Sequence, residues 1–175
     1  GFSGAEAGGE SSPTLTDIIV SGNRALYNGG GISNYGSSKG VSSPVLTNVT
    51  ISGNSTDYDG AGMYNYGRGG VSSPVLTNVT VSGNRAGSNA GGIYNDGLGG
   101  VSNPVLTNVT ISGNGAHYGG GLYNDDSSGG VSNPLLVNSI VWGNAATFGP
   151  QTFNSNYSNP TLQVSYSIVQ GARQH

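Results

Sequence analysis

PVLTNVTISGN, residues 44–54, returns as PVLTNVTVSGN at 74–84 and PVLTNVTISGN at 104–114, with diverged copies PTLTDIIVSGN at 13–23 and PLLVNSIVWGN at 134–144. The prolines that open them, Pro13, Pro44, Pro74, Pro104 and Pro134, are spaced 31, 30, 30 and 30 residues apart. A fixed period in this range marks a solenoid, a propeller or an array. A second phrase stands between the copies: GGGISN at 29–34, GAGMYN at 60–65, AGGIYN at 90–95 and GGGLYN at 119–124, with PQTFN at 150–154 as a degraded version. Each period therefore offers three short strands, around PVL, VTIS and GIYN, separated by Asn and Gly-Asn corners. Strands this short do not build a propeller blade. They suit the faces of a coil in which every strand pairs in parallel with its copy one coil away. The expected fold is all-β: a right-handed parallel β-helix of about five to six coils of about 30 residues. It forms one domain over 1–175, with repeats near 13–43, 44–73, 74–103, 104–133 and 134–159 and a partial coil at 160–171.

Alternation assigns the faces. In LTNVTIS, Leu46, Val49 and Ile51 are expected inside, and Thr47, Thr50 and Ser52 outside. Repetition turns these into core columns, such as Leu15, Leu46, Leu76, Leu106 and Leu136, or Ile32, Met63, Ile93 and Leu122. Asparagine forms columns of its own. Asn48, Asn78, Asn108 and Asn138 mark one corner, and Asn23, Asn54, Asn84, Asn114 and Asn144 another. Both are expected to point inward as ladders of stacked amides that satisfy one another and the corner backbone. The Gly/Ser segment GSSKGVSS at 36–43 and its counterparts read as a loop protruding along one edge.

Composition agrees with a strand-and-turn solenoid. The chain holds 33 Gly in 175 residues, and charged residues are only 7%, against about 25% in an ordinary globular chain. A disordered Gly/Ser polymer would carry higher net charge and fewer β-branched residues, whereas here the net charge is −3. The absence of cysteine excludes disulfides and thiolate metal sites. No apolar run reaches the ~20 residues of a membrane helix, and no basic-then-apolar segment opens the chain, so a soluble mature product or an excised piece is expected. The few basic residues form no stripe, which argues against nucleic acid as a partner.

The alternation of GGGIYN-type phrases with SNPVLTNVTISGN resembles the right-handed parallel β-helix repeat of large bacterial surface and secreted proteins, including those with sorting anchors. More loosely, it is similar to the repeats of polymorphic outer-membrane proteins. The resemblance covers nearly the whole chain and implies the fold and an extracellular or cell-surface location. It does not fix a function, because adhesins, lyases and structural fibres share the architecture.

Candidate chemistry is sparse, and no cofactor is expected. Asp96 and Asp125 superimpose at one corner, where Tyr35 and Tyr66 stand in other coils; a polysaccharide-cutting β-helix would need such paired acids. Asp also simply suits a turn. Asp57 and Asp59 have calcium-loop spacing without the remaining ligands, and His117 stands without a second His nearby. Asn48, Asn78 and Asn108 open Asn-Val-Thr sequons, but an inward amide would leave no room for a glycan. The sequons at Asn54 and Asn156 fall in turns and are expected to be the accessible ones. Tyr64, Tyr94, Tyr123 and Phe153 follow the inward residue of their strands, so alternation puts them outside in a flat aromatic strip suited to sugar rings or a neighbouring subunit.

Neither an amphipathic helix nor a charged repeat caps either end, so the coils are expected to continue in a longer chain or in further copies. A head-to-tail contact that does not close gives a filament. The leading expectation is thus a non-catalytic extracellular structural protein that self-associates end to end. An adhesive or carbohydrate-binding module of a larger surface protein comes second, and a polysaccharide lyase or hydrolase third.

Overall fold

The computed structural model of the chain describes residues 8–155 and 162–171. It is all-β, and every strand pairs in parallel with its copy in the neighbouring coil. The register is that of the sequence repeat: Leu46 opposes Leu76, Leu76 opposes Leu106, and Leu106 opposes Leu136. Four sheets run along the stack rather than the three expected. The first carries PVL-type strands such as Val75–Thr77, the second Thr80–Ser82, and the fourth Ile93–Asp96. The unforeseen third sheet is built from pieces such as Arg85–Ala86 that follow the SGN corner. Two-residue strands carry no readable alternation, which is why they escape a periodicity argument.

The core is one continuous column of aliphatic layers. In a central coil Leu76, Val79, Val81 and Ile93 are each at most 1% exposed. Full burial of such a side chain contributes about 1.5–3 kcal/mol, and the same four positions supply it in each central coil. The column thins in the last coils, where Ser139 takes the valine position and Thr152 opposes Leu122. The outer face changes with it: Ile140, Trp142 and Ile168 are exposed where central coils carry Thr and Ser.

The Gly/Ser loop does not stand free of its neighbours. Val41, Val71, Val101 and Val131 form parallel bridges from coil to coil, so successive loops stack like the strands. Backbones approach so closely that a Cβ on Gly70 would lie 1.7 Å from the Gly36 carbonyl oxygen. No side chain fits there.

Candidate functional site

The two asparagine columns take opposite sides of the wall. Asn54, Asn84 and Asn114 are each 1% exposed and Asn144 6%; only Asn23, in the first coil, is exposed. Asn84 Oδ1 accepts from both the backbone N–H and Nδ2 of Asn54, while its own Nδ2 donates to the Ile51 carbonyl and to Asn114 Oδ1, all within 2.9–3.0 Å. The column ends on glutamine: Asn144 Nδ2 donates to Gln151 Oε1 at 2.8 Å, and Gln151 Nε2 donates to Gln170 Oε1 at 3.1 Å.

Asn48, Asn78, Asn108 and Asn138 are exposed, and the inward assignment of this column is overturned. Their φ angles of 56, 55, 54 and 49° are left-handed. The residue at a left-handed corner breaks the two-residue alternation, so its side chain leaves the phase set by Leu46. At the other corner Gly53, with φ 61°, takes the left-handed conformation, and the asparagine after it turns inward. Glycine adopts that region without the cost a Cβ incurs; where no glycine is present, the asparagine adopts it itself. The outer amides still form a ladder. Asn48 Nδ2 donates to Asp17 Oδ1, Asn78 Nδ2 to Asn48 Oδ1, and Asn108 Nδ2 to Asn78 Oδ1, at 2.9, 3.2 and 3.1 Å.

A third column was not singled out from the sequence. Asn34, Asn65, Asn95 and Asn124 are at most 1% exposed, and each donates its Nδ2 to the Oδ1 of the next coil, ending on Asn154, at 2.8–2.9 Å. Its signal was the invariant last letter of GGIYN. Continued alternation from Ile93 places Asn95 inside.

The tyrosine strip stacks as expected but is not an open platform. Tyr94 and Tyr123 lie 4.8 Å apart with rings inclined by 6°, Tyr64 and Tyr94 5.1 Å apart, and Tyr123 and Phe153 5.2 Å apart. Tyr64 is only 4% exposed and Tyr94 6%, while Tyr123 and Phe153 are half-buried. The preceding corner lies over the strip. A Cβ on Gly60 would meet Tyr64 Cβ at 2.8 Å, Gly119 and Gly149 approach Tyr123 and Phe153 in the same way, and Ala90, Tyr35 and Tyr66 complete the cluster.

Asp96 and Asp125 pair in register on this strip. Tyr64 Oη donates to Asp96 Oδ2 at 3.0 Å, and Tyr94 Oη to Asp125 Oδ2 at 3.2 Å. Burial raises the Asp96 carboxyl above its ordinary value, opposed by the Leu98 N–H, the Tyr64 hydroxyl and Arg68, whose Nη2 stands 3.9 Å away. Burial, and then the Asp96 carboxylate, pushes the Tyr64 phenol far above its usual range. The two acids are thus each held by phenol and backbone donors within the strip. Asp57 pairs instead with Arg24 at 2.8 Å on the surface. Asp59 accepts from the backbone N–H and Nδ2 of Asn89, so the two acids with calcium-loop spacing are engaged separately. Among the described residues no group of three or more acids or histidines is placed to hold a metal ion. His117 is exposed and packs edge-on against Tyr118 and Phe148.

Of the sequons, Asn54 is buried, Asn48, Asn78 and Asn108 are exposed, and Asn156 lies outside the described residues. The expectation that Asn54 is an accessible sequon is therefore overturned, and the exposed ones among the described residues are Asn48, Asn78 and Asn108.

Among the described residues no helix is long and apolar enough to cross a membrane. Comparison with curated proteins and with solved structures returns no match. Residues 17–35, from the first left-handed corner to the end of the first GGISN strand, match the Chlamydia polymorphic membrane protein repeat, which points to a bacterial surface or outer-membrane protein of parallel β-solenoid fold.

Proposed function

We propose that this chain is a non-catalytic structural protein of the cell surface whose solenoid propagates end to end into a filament. The observation that carries this reading is Asn34. Its Oδ1 is buried with no hydrogen-bond partner among the described residues, on the first member of a column in which Asn34, Asn65, Asn95 and Asn124 each donate onward to the next coil. A buried acceptor left unpaired costs about 1–3 kcal/mol. One more coil with the same asparagine, supplied by another copy, would donate to it, pair the open strand edges and extend the aliphatic column. Negative-stain microscopy of the purified chain is the test. Fibres with an axial repeat of roughly 25–30 Å, five to six strand spacings, are expected. Particles that stay monodisperse at high concentration would overturn the filament.

An adhesive carbohydrate-binding module is the second reading, and one feature favours it. Tyr27 and Tyr58 are exposed and stacked 5.9 Å apart, and Arg24 and Asp57 of the same two coils form an ion pair. Saccharide binding that is lost in a Tyr27→Ser, Tyr58→Ser double variant would support it.

A further inference from the structure

We propose that the outer asparagine column is a glycan-attachment site: Asn48, Asn78 and Asn108 are acceptors for N-linked sugar on the folded solenoid, and Asn54 is not. The inference does not depend on filament assembly. It rests on how each amide hydrogen is used.

Asn48, Asn54, Asn78 and Asn108 all lie in Asn-x-Ser/Thr sequences, so sequence alone does not separate them. In Asn54, Nδ2 donates to the Val20 carbonyl and to Asn84 Oδ1, both at 3.0 Å. Both hydrogens are engaged and the residue is 1% exposed. In Asn78, Nδ2 makes one hydrogen bond, to Asn48 Oδ1, and the side chain is exposed. One hydrogen is left for solvent. Val79, between Asn78 and Thr80, is 1% exposed, so the asparagine and threonine lie on the outer side while the middle residue is locked in the core. A transferase can then read both from one direction.

The ladder survives the modification. N-glycosylation forms a bond between Nδ2 and the anomeric carbon of an activated sugar, a nucleotide- or lipid-linked diphosphate. The diphosphate leaves with the bonding electrons, and the amide proton passes to a base on the transferase. The product is a secondary amide, which keeps the trans arrangement about its C–N bond. Its remaining N–H points away from Oδ1. A coil-to-coil ladder uses that same hydrogen, because the donor and acceptor of each amide then face opposite ways along the stack. Attachment thus replaces the solvent-facing hydrogen and keeps the Asn78–Asn48 bond. The coils on either side lack the signal: Asp17 replaces the asparagine in the first, and Asn138-Ser139-Ile140 has isoleucine in place of threonine.

The test is peptide mapping by mass spectrometry of the protein isolated from the cells that make it, beside the folded unmodified chain treated with a soluble N-glycosyltransferase and a nucleotide-activated hexose. Expected is hexose mass on peptides carrying Asn48, Asn78 or Asn108 in both samples, with none on Asn54. Thr50→Ala, Thr80→Ala and Thr110→Ala together should remove that mass without changing the β-type circular dichroism, since the ladder asparagines remain. Sugar on Asn54 in either sample, or unmodified Asn48, Asn78 and Asn108 in the native protein, would overturn the proposal. Modification of the treated chain only after unfolding would overturn it as well.

Discussion

Asn78 and Asn84 lie in the same coil and carry the same amide, yet one faces water and the other is sealed inside the wall. The difference comes from which residue takes the left-handed corner. In Thr-Asn-Val the asparagine has φ 55° and its side chain swings out; in Ser-Gly-Asn the glycine has φ 63° and the asparagine folds in. The buried amide serves as packing: two acceptor bonds and two donor bonds tie three successive coils together. The exposed amide spans only its neighbours and leaves one hydrogen outside. One column holds the fold, and the other decorates its surface.

The most severe way to break the comparison is Asn84→Ala. It leaves the Asn54 backbone N–H and one Asn54 Nδ2 hydrogen without partners in a dry wall, so unfolding free energy should fall by about 3 kcal/mol, from about 1–3 kcal/mol for each stranded group. A denaturant melt reads this as a lower midpoint.

A second, smaller effect concerns the acid buried beside the strip. Because burial raises Asp96 above its ordinary carboxylate value, the folded state holds that proton more tightly than the unfolded state. Its contribution to stability is then full below the ordinary carboxylate range and is lost as pH rises through the raised value. Asp96→Asn should therefore stabilise the protein at neutral pH and flatten that part of the stability profile. Thermal melts across pH check the sign; a variant that is less stable at neutral pH would show that the charged form, held by Arg68 and Tyr64, is the favoured one.

Asn78→Gly gives the smallest change. Glycine accepts the left-handed corner, so only two exposed side-chain bonds, to Asn48 and from Asn108, are removed, at a cost of about 0.5 kcal/mol or less in all. A loss as large as that of Asn84→Ala would mean that the outer ladder carries the stack after all.

Periodicity made the coils and the inward columns of Leu76, Val79, Val81 and Ile93 legible, because a 30-residue repeat repeats its burial. It did not show which asparagine column was inside. Leu46 and Val49 both face inward although they are three residues apart, and strict alternation cannot place both. One residue between them must slip phase, and a left-handed asparagine is the residue able to do so. The aromatic strip failed as a platform for a different reason. Alternation put Tyr64 and Tyr94 outside the core correctly, but it cannot reveal that the corner at Gly60 folds over the rings. That closure is a contact between segments, not a property of either one.

The contrast between the columns is tested most directly by hydrogen exchange of the asparagine side-chain amides, followed residue by residue by NMR on the unmodified protein. The Nδ2 hydrogens of Asn54, Asn84 and Asn114 should exchange only with opening of the stack, while at least one hydrogen on each of Asn48, Asn78 and Asn108 exchanges at the rate of a solvated amide. Equal protection in the two columns would contradict the account.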